Sequence, residues 1–173
     1  MSDTIDVVDF GSQLQFTFGD LRLYSGPRSV GGLAHSFRVM QRVFPLLSPD
    51  GPPERREIRV RTAHPGPGVR DGIEFVTRAV VEDRFRHDPQ FARIDGGDRM
   101  AWWVFEFAYR DRIVTAHARQ EFVPEDLMRF ALLGRKATAD ERGRFLAEIE
   151  KMSKLVLAAQ PDEIYDIVEP TGL

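Results

Sequence analysis

The stretch Met100–Tyr109, MAWWVFEFAY, constrains the fold more than any other part of the chain. Aromatic and β-branched side chains fall on both alternating sets of positions, which predicts a strand buried on both faces. Arg110 and Asp111 then supply a two-residue turn, and Arg112–Phe122 (RIVTAHARQEF) reads as the returning strand of an antiparallel hairpin. Glu57–Thr62 alternates Ile58, Val60 and Thr62 with Glu57, Arg59 and Arg61, the pattern of a half-buried strand. An antiparallel sheet with an apolar face needs something to cover it.

The helical patterns supply the cover. Leu33, Phe37, Met40, Phe44 and Leu47 form one helical stripe behind Ser29, a candidate N-cap, and Pro45 is expected to kink or end that helix. Val69–Phe85 reads as a second helix with Val69, Ile73, Val76 and Val80 on one face. Pro124–Leu133 reads as a short helix stopped by Gly134. Thr138–Glu141 (TADE) is a capping box ahead of a stripe through Phe145, Ile149, Met152, Val156 and Ala159. Pro161–Pro170 closes with a short strand. Ile5–Leu21 is ambiguous, with Gln13–Phe18 either a short strand or an approach loop. The expectation is an α+β fold, an antiparallel sheet with helices packed on one side, in a single domain over residues 1–173.

Composition removes several functions. The chain has no cysteine, which excludes disulfides, thiolate metal sites, iron–sulfur clusters held by thiolates, and cysteine nucleophiles. The net charge is −3 and no basic stripe appears, so nucleic acid is not an expected partner. The densest basic cluster, Pro53–Arg61 (PERREIRVR), reads as the solvated face of a strand. No apolar run reaches the ~18 residues of a membrane span. The acidic start, MSDTIDVVDFG, lacks the pattern of a signal peptide, so a cytoplasmic protein is expected. Two apolar helices and a two-sided aromatic strand are much for one small domain to bury, which points to a homodimer.

Two glycine-rich loops run into helix starts: Ser25–His35 (SGPRSVGGLAH) and His64–Asp71 (HPGPGVRD). Helix N-termini present unsatisfied N–H groups, and His64 and Arg70 add donors beside the second. The alternative is that the glycines serve packing and Asp71 merely caps a helix. Gly31, Gly32, His35, His64, Arg70 and Asp71 are therefore the candidate ligand-binding residues of a cleft between residues 25–35 and 64–71. His35, His64 and Asp71 could hold a divalent ion such as zinc, although no paired-histidine motif is present, so such a site needs tertiary assembly. His87 is placed in a polar loop, and His117 on the strand face of Ile113 and Thr115. Trp102 and Trp103 could wall a pocket, with at least one of them in the core. Fingerprints for nucleotide loops and serine hydrolases are absent.

Three blocks resemble the FmdE-like family, which takes its name from a component of formylmethanofuran dehydrogenase. They are Phe18–Met40, Arg61–Ala79 and Ala137–Pro170, and together the resemblance spans about residues 16–170. It implies an FmdE-like fold and a site built on the first two blocks, with Asp71 matching the second block's aspartate. The family's His-Gly-His and cysteine positions are not kept: Ser25, Gly26 and Pro27 stand at the first, Ser29 and Val30 near the second, and Gly66–Gly68 where the second block has its cysteine. The chain also stops before any C-terminal zinc ribbon. The resemblance thus implies a diverged member with a small ligand or a metal held without cysteine, or else a non-catalytic accessory or scaffold protein acting through dimerisation or a partner. Whether the protein is an enzyme is left open by these residues.

Overall fold

The computed structural model describes residues 3–168. A hairpin of β1 (Thr4–Asp9) and β2 (Ser12–Thr17) opens the chain. Helix α1 (Phe18–Ser25) follows directly, capped reciprocally by Thr17 and Asp20. The long helix α2 (Val30–Leu47) leads through a turn to β3 (Arg59–Thr62), and α3 (Pro67–Thr77) connects β3 to β4 (Phe85–His87). After α4 (Gly97–Met100) come β5 (Val104–Tyr109) and β6 (Arg112–Ala118). Helices α5 (Leu127–Leu133), α6 (Ala139–Ala158) and α7 (Pro161–Ile164) precede β7 (Tyr165–Val168).

The main sheet has the order β4-β3-β5-β6-β7, antiparallel throughout except for the parallel pair β3–β4. The fold is α+β, as the patterns predict. Register decides which residues meet the helices. Val60 lies opposite Phe107, Thr62 opposite Phe105, Phe105 opposite Ala116, and Ala118 opposite Tyr165. These residues are buried on the face against which α2 packs. The other face carries Arg61, Glu106, Thr115, His117 and Asp166, but also Val104 and Ala108, which are buried, so β5 is covered on both faces as its pattern predicts.

Helix α2 is the spine of the molecule. The whole predicted stripe from Leu33 to Leu47 is buried, and so are Ala34, His35, Ser36, Arg38 and Val39 on its other sides. It contacts α3, α6 and the sheet together. Pro45 lies inside the last turn without ending the helix, because its missing N–H costs only one bond there. Phe105, Phe107 and Tyr109 are buried within the same core. Two of the three elements on which a homodimer was expected, α2 and β5, are therefore buried inside the single chain.

Several boundaries differ from expectation. Helix α3 ends at Thr77 because Arg78 adopts a left-handed conformation, φ 57°, so Val80 is not on the helix, and His87 lies in a strand rather than a loop. The aromatic strand starts at Val104; Met100 ends a helical turn instead. The basic cluster is a solvated strand face only in part: Arg59 and Arg61 lie on the outer side of β3, but the residues before it do not. Arg55 is buried, donating to the terminal carbonyls of α3 at Phe75 (2.6 Å) and Val76 (2.7 Å) and pairing with Asp9 at 3.4 Å. The closing strand reaches Val168; Glu169 and Pro170, also expected in it, lie outside the described residues. Among the described residues no helix is long and apolar enough to cross a membrane.

Candidate functional site

The glycines are explained first by contact. A Cβ on Gly68 would stand 2.3 Å from the Ser29 carbonyl oxygen and 2.9 Å from the Leu33 nitrogen; one on Gly72 would meet the Ser36 hydroxyl at 1.9 Å. These positions let α3 lie directly against α2. Gly31 does the same toward α6, where a Cβ would meet Met152 at 2.4 Å. Gly31 is thus a packing residue between helices and does not face the cleft. The close approach brings the starts of α2 and α3 side by side, as the paired loops predicted.

Between these two helix starts lies a cleft of about 170 Å³. One lip is Arg28, Ser29 and Gly32; the other is residues 64–68. Trp102 and Trp103 form a wall, and α5 and α6 close the far side with Leu127, Ala131, Phe145, Ile149 and Met152. The lining is apolar apart from His64, Ser29, Arg28 and the lip backbone. Arg28 is exposed and has no ion-pair partner among the described residues. The cleft sits at the C-terminal end of β3, beside its parallel neighbour β4, the usual place for a ligand next to a parallel β–α–β unit.

His64 is set by its neighbours. The Thr62 hydroxyl donates to the Val104 carbonyl (2.7 Å) and accepts from the His64 N–H (3.1 Å), which fixes the turn out of β3. The Gly66 N–H then donates to His64 Nδ1 at 2.9 Å. An accepting Nδ1 places the proton on Nε2. A Cβ on Gly66 would stand 2.4 Å from the ring, so only glycine allows this stacking. Burial, with smaller contributions from His35 and His87, pushes the imidazole down to about 3. His64 is thus neutral at physiological pH. Its Nε2–H has no acceptor among the described residues, and the ring keeps an edge open to the cleft.

Trp103 separates the two histidines. Its ring centroid is 4.3 Å from that of His64 and 4.4 Å from that of His35. The indole is buried and its N–H has no acceptor, which costs about 1–3 kcal/mol in a filled interior. His35 lies wholly in the core. Its Nε2 donates to the Phe122 carbonyl (3.1 Å), so Nδ1 accepts from the Tyr165 hydroxyl (2.7 Å), which also lies 2.9 Å from the His35 carbonyl oxygen. Burial lowers His35 to about 4 and raises Tyr165.

Of the six residues expected to line the cleft, the structure brings His64 and Gly32 to it. His35 is behind Trp103 with both ring nitrogens engaged. Arg70 is exposed on α3 and off the lining, and Asp71 accepts a hydrogen bond from the Ser25 hydroxyl at 2.8 Å. The expected metal site of His35, His64 and Asp71 is not assembled: among the described residues no three His, Asp or Glu side chains gather as a cation site. A resident divalent ion does not fit these residues, because the histidine lone pairs are already taken by hydrogen bonds. Sequence reasoning missed Arg28 and the α5–α6 wall, and only the tryptophan pair carried a signal for that side. No family model matches the chain, and no curated protein sequence matches it.

Proposed function

We propose that the protein is a small-molecule-binding domain whose cleft takes one mostly apolar molecule of about single-ring size that carries a carbonyl or carboxylate. The observation that carries this reading is His64: a neutral imidazole locked as an Nε2–H donor at the edge of an apolar cleft, with no acceptor among the described residues. A cavity near 150 Å³ holds one benzene ring, which sets the size of the ligand. The exposed guanidinium of Arg28 on the lip supports an acceptor-bearing ligand. The reading is binding rather than catalysis, since the histidine on the cleft has its basic nitrogen occupied and a pKa far below the range of a general base. The two lips are also the first two blocks of the resemblance to the FmdE-like family, which supports placing that family's site here without its metal.

The test uses the protein's own reporters, because its two tryptophans both line the cleft. Benzamide and benzoate should change tryptophan fluorescence saturably, toluene more weakly. His64→Phe should weaken benzamide by about tenfold, the worth of one buried hydrogen bond. No response to any of the three probes at millimolar concentration, or equal benzamide affinity in His64→Phe, would sink the reading.

The alternative role is an accessory protein acting through self-association. It would need a surface other than α2 and β5, and the outer sheet face, with the exposed Ile113 and Val168, offers one. Sedimentation velocity at micromolar concentration decides it, a monomer alone removing this alternative.

A further inference from the structure

A larger cavity, about 510 Å³, lies on the opposite half of α2, between β1, the 48–53 turn and the start of α7. That volume is within the range of small-molecule sites, about 300–1,000 Å³. Its walls are Ile5, Met40, Phe44 and the rigid rings of Pro45, Pro53 and Pro161. One side chain in this lining is out of place for a wall. Arg38 is 6% exposed, yet no carboxylate of the described residues forms an ion pair with it, and Asp3 acts on it only at longer range.

Its contacts are all neutral. Nη1 donates to the Gln41 amide oxygen at 2.8 Å, Nη2 to the Leu157 carbonyl, and Nε has no acceptor. Arg55 makes the contrast: equally buried, it holds Asp9 as well as two helix carbonyls. A buried cation without a close counter-charge is costly, and an anion that enters beside it removes that cost. Asp6 also lines the cavity, already accepting from the Thr4 hydroxyl (3.0 Å) and the Gln15 amide (3.2 Å). Its charge disfavours a polyanion such as a phosphate ester and leaves a single carboxylate as the better match.

We propose that this cavity is a second binding site, for a monocarboxylate with an apolar body, and that the carboxylate pairs with Arg38. The site is independent of the cleft at His64, since the two cavities share no lining residue.

The experiment uses the full chain with octanoate as probe and methyl octanoate as the uncharged control. Calorimetry and the ¹⁵N-resolved guanidinium signals are the readouts. Octanoate should bind at least about tenfold more tightly than the ester, as loss of a charge-assisted hydrogen bond predicts. Arg38→Met should abolish that preference. If Arg38→Met does not fold, Ser48→Phe narrows the cavity without touching the guanidinium, and octanoate binding should be lost. Equal binding of acid and ester, an Arg38→Met protein that keeps the preference, or a Ser48→Phe protein that binds as before would each overturn the proposal. So would the absence of octanoate binding at millimolar concentration. Tryptophan fluorescence should stay constant during the titration; quenching that survives in Arg38→Met would place octanoate in the other cleft and overturn the assignment.

Discussion

At the scale of single residues, His35 shows how a position can look functional and be structural. Its sequence neighbours are glycines and a helix start, and nothing local reveals that Phe122 and Tyr165 will take both ring nitrogens. A pH dependence follows. The pKa is about 4 when folded and near 6.5 when unfolded, so the unfolded chain binds the extra proton first. The stability that neutral His35 contributes is complete above pH 6.5 and is lost as pH falls from 6.5 toward 4, by about 3 kcal/mol in all. Denaturant unfolding at pH 7 and pH 4.5 should show this loss, and His35→Gln should show less of it. An identical loss in the variant would mean that other groups carry the acid sensitivity. His64, also neutral and lowered, adds a fall of the same sign.

At the scale of elements, the helix pair α2–α3 is the device that makes the cleft. Its glycines are the part of the opening motif that sequence reading could pose as a question but not answer, because a glycine for packing and a glycine for a ligand look alike until the partner backbone is known. Gly68→Ala tests the answer. The new methyl would meet backbone atoms of Ser29 and Leu33, which cannot move aside as a side chain can. The substitution should cost about 1–3 kcal/mol of stability and alter the tryptophan emission of the adjoining cleft. Unchanged stability would show that the helices have room to separate. By contrast, the start of α6 and its capping box were legible, since Thr138 and Glu141 satisfy each other's backbone N–H groups across three residues and need no tertiary partner.

At the scale of the whole molecule, long stripes and alternations were readable because they repeat one physical demand many times. The buried stripe of α2 and the β5–β6 register both follow from such repeats. What was not readable lies in single, distant pairings. Arg55 is the main case: it joins the β1–β2 hairpin through Asp9 to the end of α3 through two carbonyls, residues far apart in the chain. Locally it is one arginine among several. Arg55→Ala should destabilise the protein by about 3 kcal/mol, leaving Asp9 with Arg56 alone and the α3 carbonyls without a donor. Thermal or chemical unfolding measures this; a change below about 0.5 kcal/mol would show that the clamp is dispensable.

The floor beneath the cleft has a chronology. The Tyr165 hydroxyl meets His35 across a sequence separation of 130 residues, and β7 takes its place in the sheet only beside β6. Chain growth is slow relative to the formation of helices and hairpins. During synthesis α2 and the β5–β6 hairpin therefore emerge long before the strand that anchors His35. Until then the imidazole is a polar group facing an unfinished core. The nascent protein cannot complete this part of the core until β7 has left the ribosome.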